Sequence, residues 1–294
     1  VYNLDWLTIE DLKNIFEKAN YVADDNILFS VYLALKLKKP LLIEGEPGCG
    51  KTEIAKVLSQ GLNTELIRLQ CYEGLTASET IYEWDYMRQL IEIKIRENSK
   101  NSEELENYIF SERFLLKRPL LKAVLHEGQT PPVLLIDEID RADEEFEGFL
   151  LEFLAEFQVT IPEIGTFKAK QEPIVIITSN RTRELGDGLR RRCLYLYIGY
   201  PSYEKELKII KLKVPDLNEK VSELIVRVVS RIRQMENILK KPGISETLDF
   251  SRAINEARIE KLDSSNIKMF LGCLAKNPDD FSTLAKIDFN SLLS

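Results

Sequence analysis

The sequence predicts an α/β fold: a mainly parallel sheet covered by helices on both faces, with a helical insert and a β-hairpin, followed by an all-helical C-terminal part. Three observations carry this. Short apolar runs recur between helix-prone stretches, the pattern of a buried parallel sheet. A glycine-rich G-x-x-x-x-G-K-T pattern directly follows one of those runs and opens a helix-prone segment. After Tyr200-Pro201 no further strand-like run is found. At 294 residues the chain has room for one α/β domain and a smaller satellite, expected as residues 1–201 and 202–294.

Along the chain, residues 8–21 read as a helix with Leu12, Ile15 and Phe16 on one face. Asp24 or Asp25 is placed to cap a second helix reaching about Lys38. Pro40-Leu41-Leu42-Ile43-Glu44 is a short apolar strand, and further strands are expected at 65–69, 133–136 and 174–178. Residues 85–127 are charged and helix-prone, broken at Asn98-Ser99-Lys100-Asn101-Ser102, and read as helical material inserted between two strands. Residues 157–173 alternate on both sides of Glu163-Ile164-Gly165, which predicts a β-hairpin. From Ser202 onward the pattern is helical, with breaks at Pro215 and Pro242-Gly243.

Composition narrows the function classes. The formal net charge of −8 repels a phosphate backbone, which disfavours nucleic acid as a partner and favours protein remodelling over a DNA motor. Cys49, Cys71, Cys193 and Cys273 are far apart and form no CxxC pair, so neither a zinc site nor a disulfide framework is indicated. His126 is the only histidine, which excludes a multi-histidine metal site. No apolar run approaches the ~20 residues that span a bilayer. The first five residues lack a basic stretch followed by an apolar one, so no signal peptide is expected and the chain reads as cytoplasmic.

The chemistry-bearing residues begin with Gly45-Glu46-Pro47-Gly48-Cys49-Gly50-Lys51-Thr52. Glycines let the backbone wrap closely around phosphates, and the following helix aims its positive dipole end at the same place. Lys51 is expected to reach the β- and γ-phosphates, and the Thr52 hydroxyl to bind Mg²⁺. Val133-Leu134-Leu135-Ile136-Asp137-Glu138 is a buried strand ending in two carboxylates. Ligands bind outside the carboxyl ends of parallel strands, so Asp137 is expected to hold Mg²⁺ and Glu138 to orient the attacking water. Ile174-Val175-Ile176-Ile177-Thr178-Ser179-Asn180 ends another strand, placing Asn180 to contact the γ-phosphate or the water. Arg190-Arg191-Arg192 reads equally as a nucleic-acid patch, a solvated face or an arginine finger, and the local pattern does not choose among them.

Taken in order, these motifs resemble the AAA+ ATPases. More narrowly, the chain resembles the MoxR family and its CoxD-like branch. That likeness is carried by Gly45-Glu46-Pro47-Gly48, Leu69-Gln70-Cys71-Tyr72-Glu73-Gly74-Leu75, Tyr82-Glu83-Trp84-Asp85-Tyr86, Thr178-Ser179-Asn180-Arg181-Thr182-Arg183-Glu184-Leu185, Leu189-Arg190-Arg191-Arg192-Cys193 and Glu246-Thr247-Leu248-Asp249-Phe250-Ser251-Arg252-Ala253. The resemblance implies ATP as substrate with Mg²⁺, Asn180 as sensor 1, and Arg192 as a finger acting on a neighbouring subunit, with Arg191 in reserve. It also implies Arg252 as the sensor-2 arginine and Gln70 as a switch residue holding the catalytic glutamate. Tyr21-Val22-Ala23 would contact adenine. Tyr82, Trp84 and Tyr86 would grip a client or, more simply, pack. Cys49 stands where many relatives have valine and would sensitise the site to thiol reagents. A hexameric ring, a von Willebrand factor A domain partner and a metalloenzyme client, such as a molybdenum-containing carbon monoxide dehydrogenase, are implied in the same way.

Two other classes stay in view. A nucleic-acid motor or clamp-loader-like ATPase uses the same core, but the acidic balance and the lack of a recognisable DNA-binding domain in this sequence count against it. A nucleotide-gated scaffold without turnover would not need Glu138. No Asn-Lys-x-Asp guanine motif is present, so ATP is favoured over GTP.

Overall fold

The structure, a computed structural model, describes residues 4, 6–96 and 102–293. Of the expected polar break at 98–102, residues 98–101 lie outside the described residues, as do the N-terminal residues 1–3 and 5.

Helix α1 (Ile9–Lys18) starts at a capping box in which Thr8 and Asp11 bond each other's backbone, and it buries Leu12 and Phe16. Asp24 caps α2 (Asp25–Leu37), which stops where Lys38 turns left-handed. Strand β1 (Leu41–Gly45) then leads through the glycine loop into α3 (Lys51–Gly61), and β2 (Leu66–Gln70) follows.

The insert opens with α4 (Ala77–Ile81) and β3 (Tyr82–Trp84), continues through α5 (Tyr86–Ile95) and α6 (Ser102–Ile109), and returns by β4 (Leu115–Lys117) and α7 (Pro119–Val124). It is helical as expected, but β3 and β4 pair antiparallel, which the sequence reading did not foresee. Trp84 is buried, with Tyr82 and Phe110 edge-on to its ring at 5.9 and 5.4 Å. Of the three aromatics considered for gripping a client, only Tyr86 is exposed, and the other two pack the insert.

Strand β5 (Val133–Asp137) carries the carboxylates and is followed by α8 (Glu144–Glu156). The expected hairpin is β6 (Gln158–Ile161) and β7 (Gly165–Lys168). After β8 (Ile174–Ser179) and α9 (Asp187–Arg192) comes β9 (Leu194–Ile198), a strand absent from the sequence expectation.

The main sheet runs β2-β5-β8-β1-β9 with every neighbouring pair parallel. Alternate side chains feed two apolar layers. Leu41, Ile43, Val133, Leu135, Ile174 and Ile176 meet α1, α2 and α3 on one face. Leu42, Leu134, Ile136, Val175 and Ile177 meet the insert and α8 on the other. Burial of both faces explains why these strands read as continuous apolar runs, each fully buried side chain contributing about 1.5–3 kcal/mol.

From Tyr203 the described chain is helical: α10 (Tyr203–Lys213), α11 (Glu219–Gln234), α12 (Ile244–Glu256), α13 (Ser264–Met269), α14 (Leu271–Leu274), α15 (Pro278–Ala285) and α16 (Asn290–Leu293). These helices share a third apolar core around Val229, Ile232, Phe250 and Phe289. The N-terminus of α12 rests on the glycine loop, where Ile244 N–H donates to Gly48 O at 3.1 Å.

Candidate active site

The site is assembled where β1, β5 and β8 end together. Gly45 closes β1 with φ of 156°, and a Cβ there would lie 2.0 Å from Ile198 O, so β9 and the loop can approach only through glycine. Gly50, at φ 86°, turns the loop into α3 and aims that helix's N-terminus back at the loop. Lys51 is buried, and its Nζ donates to Gly45 O and Glu46 O, both at 2.8 Å. Burial lowers the pKa of its ammonium.

Asp137 is buried at the end of β5. Its Oδ1 accepts the hydroxyls of Thr52 (3.0 Å) and Thr178 (2.5 Å). Its Oδ2 accepts Arg68 Nε (3.0 Å) and Nη2 (2.5 Å). Glu138 follows with a left-handed backbone, φ 56°, a conformation that costs a non-glycine residue about 1–3 kcal/mol and gathers at functional sites. The Glu138 N–H is held by Thr178 Oγ1 at 2.9 Å. Its Oε2 accepts from Gln70 Nε2 and from Arg141 Nη1, each at 3.2 Å. The contact implied for Gln70 by resemblance is therefore present in the geometry.

Asn180 leaves β8 beside these groups, and its loop is pinned by a buried carboxylate. Asp140 accepts Asn180 N–H at 3.1 Å, Thr182 N–H at 2.9 Å and the Thr182 hydroxyl at 2.7 Å. Burial pushes the Asp140 pKa up, but these hydrogen bonds outweigh it and hold the group below the usual carboxylate range.

Two adjoining cavities share Gly48, Cys49 and Gly50. One, of about 260 Å³, is polar and is lined by Lys51, Thr52, Asp137, Glu138, Thr178 and Asn180. The other, of about 280 Å³, lies between Tyr21 and Val22 on one side and Ile209, Ile244, Leu248 and Arg252 on the other. A polar compartment with cationic and backbone donors suits phosphates, and an apolar slot beside it suits a base. Ser245, unmarked in the sequence reading, lines both.

The sequence expectations thus converge on one place for the whole loop, Asp137, Glu138 and Asn180. Two arginines lie elsewhere. Arg252 lines the apolar cavity, its Nη1 3.4 Å from Asp249 Oδ1. Arg192 donates to Leu151 O on α8 at 2.5 Å, and Arg191 is exposed. Arg190, from the same cluster, is tied to buried Glu44 at 3.1 Å, directly before the glycine loop. Cys49 is buried, and burial pushes its thiol up to about 11, so the expected sensitivity to thiol reagents is not supported.

The AAA domain model of the dynein-related subfamily matches residues 40–193, from the residue before β1 to the residue before β9. The chain is an AAA ATPase. This AAA ATPase is 27% identical over 245 residues to an uncharacterized protein of Staphylococcus haemolyticus, covering 81% of this chain and 84% of that one. It is 24% identical over 244 residues to the gas vesicle ATPase GvpN of Haloferax mediterranei, covering 75% and 66%. The RuvB subunit of the Holliday junction branch migration complex of Thermosipho melanesiensis is 22% identical over 298 residues, covering 90% and 82%. Among solved structures, a mutant RuvB of Thermotoga maritima superimposes with a TM-score of 0.51 at 16% identity, covering 97% of this chain and 81% of that one, a likeness of fold.

Proposed function

We propose that this AAA ATPase couples Mg²⁺-dependent ATP hydrolysis to the remodelling of a protein client, as a ring of subunits in the manner of the MoxR family. The observation that carries the reading is the paired carboxylate, Asp137 and Glu138, held in one polar cavity with the phosphate loop and Asn180. A chain that only bound nucleotide would have no use for the second carboxylate.

In this reading the loop N–H groups and Lys51 take the phosphates, and Tyr21, Leu248 and Arg252 surround the base and ribose. Lys51 then exchanges its two loop carbonyls for phosphate oxygens. Thr52 and Asp137 offer hard oxygen donors of the kind Mg²⁺ takes alongside substrate phosphates. When bound there, Mg²⁺ supplies charge neutralisation on the phosphoryl oxygens. Glu138 orients the attacking water and accepts its proton, which requires its Oε2 to leave Gln70 and Arg141. Asn180, anchored through Asp140, positions the same water or the γ-phosphate.

Arg192 is the proposed finger toward a neighbour, and Arg252 the arginine of a helical lid beginning near Pro201, with residues 1–201 as the nucleotide-binding domain. Arg192 must release Leu151 O to act in this way. A cytoplasmic ring, hexameric, with a von Willebrand factor A domain partner and a metalloenzyme client completes the proposal, on the strength of the MoxR and CoxD-like motifs. Among the described residues no helix is long and apolar enough to cross a membrane.

The test is ATP hydrolysis per subunit as protein concentration rises, with Arg192→Ala, Glu138→Gln and their mixture alongside. The ring reading expects activity to climb with concentration, both variants to be inactive, and the mixture to recover part. A flat, Arg192-independent rate sinks it. The RuvB relatives favour one second reading, a nucleic-acid motor. Strong stimulation of hydrolysis by DNA would select it over a protein client, although the net charge of −8 opposes it.

A further inference from the structure

We propose that Arg68 is a latch on the metal-binding carboxylate: its guanidinium and a divalent cation compete for Asp137. The proposal rests on the reading of Asp137 as the metal residue and concerns the regulation of that same site.

A carboxylate has about four acceptor positions. At Asp137 all four are taken, by Thr52 and Thr178 on Oδ1 and by the two guanidinium N–H groups of Arg68 on Oδ2. A cation arriving at this carboxylate must displace one donor or sit beside a second positive charge. The donors are not equally free to leave. Thr178 also holds the Glu138 N–H, and Thr52 is itself a partner for the cation. Arg68 projects from the edge strand β2, and its side chain is 52% exposed while that of Asp137 is 4% exposed. Water can take over its guanidinium at small cost, whereas Thr178 is buried and has no such escape. Arg68 is therefore the donor that yields.

The exchange reaches the second carboxylate. The same Arg68 Nη2 that bonds Asp137 also donates to Gln70 Oε1 at 2.7 Å, and Gln70 Nε2 donates to Glu138 Oε2 at 3.2 Å. Arg68 and Gln70 lie two residues apart on one face of β2, with Gln70 in register with Asp137. If Arg68 leaves Asp137, Gln70 loses the brace on its Oε1, which loosens one of the two holds on Glu138 and leaves the Arg141 contact in place. The latch thus ties one of the two holds on the hydrolytic carboxylate, that of Gln70, to the filling of the metal position. In its absence Glu138 would be held by Gln70 and Arg141 without reference to the metal.

The experiment titrates Mn²⁺ into the full chain with a non-hydrolysable ATP analogue and reads free Mn²⁺ by its paramagnetic resonance signal. Native chain, Arg68→Ala and Arg68→Lys are compared. An ion pair with one partner half-exposed is weak, so Arg68→Ala is expected to bind Mn²⁺ up to about fivefold more tightly, with Arg68→Lys in between. Equal or weaker Mn²⁺ binding by Arg68→Ala, folded as the native chain by circular dichroism, overturns the latch and leaves the site reading intact. If Arg68→Ala does not fold, Arg68→Lys decides, tighter binding supporting the latch and native affinity overturning it. Analogue binding by the native chain with no Mn²⁺ taken up overturns the site reading and the latch with it.

Discussion

Thr178 Oγ1 lies 2.5 Å from Asp137 Oδ1 and donates to it. The same hydroxyl accepts the N–H of Glu138 at 2.9 Å, so a single threonine from β8 fixes the Asp137 carboxylate and the backbone of Glu138. Thr178→Val keeps the shape and removes both bonds. It is expected to lower stability by about 1–3 kcal/mol, the cost of leaving a partly buried donor and acceptor unmet. The midpoint of urea unfolding checks this, and hydrolysis should fall with it. An unchanged midpoint and rate would show that Thr178 is only filler.

Asp140 is expected to set the Asn180 loop. Its folded pKa is lowered, so its contribution to stability is full above the ordinary carboxylate value of 3.8 and is lost as pH falls through the folded value. Asp140→Asn should cost about 1–3 kcal/mol at neutral pH, and the gap to the native chain should narrow below about pH 4. Unfolding midpoints at pH 7 and below about pH 4 separate the two regimes. A gap that persists undiminished into acid would mean that charge at Asp140 is not what holds the loop.

The helical part has its own buried ion pair. Arg233 donates to both oxygens of Glu206 at 2.7 Å and to Pro242 O at 2.7 Å, and Thr247 donates to Glu206 Oε1 at 2.7 Å. Three helices, α10, α11 and α12, thereby meet at one carboxylate. Arg233→Ala leaves that carboxylate buried without its partner and is expected to cost about 3–5 kcal/mol. Denaturant unfolding followed on the helical signal gives the figure, and a loss well under about 1 kcal/mol would show that water or a rearrangement replaces the arginine.

Cys49 should react slowly with a thiol reagent. Its thiol is buried and raised to about 11, so near pH 8 little thiolate is present. Labelling of the folded chain at that pH should lag far behind labelling in guanidinium, with the rate rising steeply toward pH 11. Prompt modification of Cys49, mapped by peptide mass, would contradict this.

The parts of the site that are contiguous in the chain were legible in the sequence. The glycine loop, Asp137-Glu138 and Asn180 each end an apolar run, and the end of a parallel strand is where ligands bind. What the sequence hid depends on register and strand order. Arg68 meets Asp137 only because β2 pairs with β5, and Thr178 meets the Asp137 carboxylate and the Glu138 N–H only because β8 lies on the other side of β5. Alternation along β2 puts Arg68 and Gln70 on one face, a signal visible in the residues but meaningless without the neighbouring strand. Strand β9 was missed because it follows three arginines and leaves Tyr195 and Tyr197 exposed at a sheet edge. Strands β3 and β4, three residues each, are too short to show a period.

The most direct measurement is paired binding and turnover for Glu138→Gln. The variant should bind ATP with native affinity, because Glu138 is not a phosphate or base contact in the proposed site. Its phosphate release should fall by at least about a hundredfold, the scale on which a positioned general base contributes. Native turnover by the variant would contradict the assignment of Glu138 and, with it, the placing of hydrolysis at the end of β5.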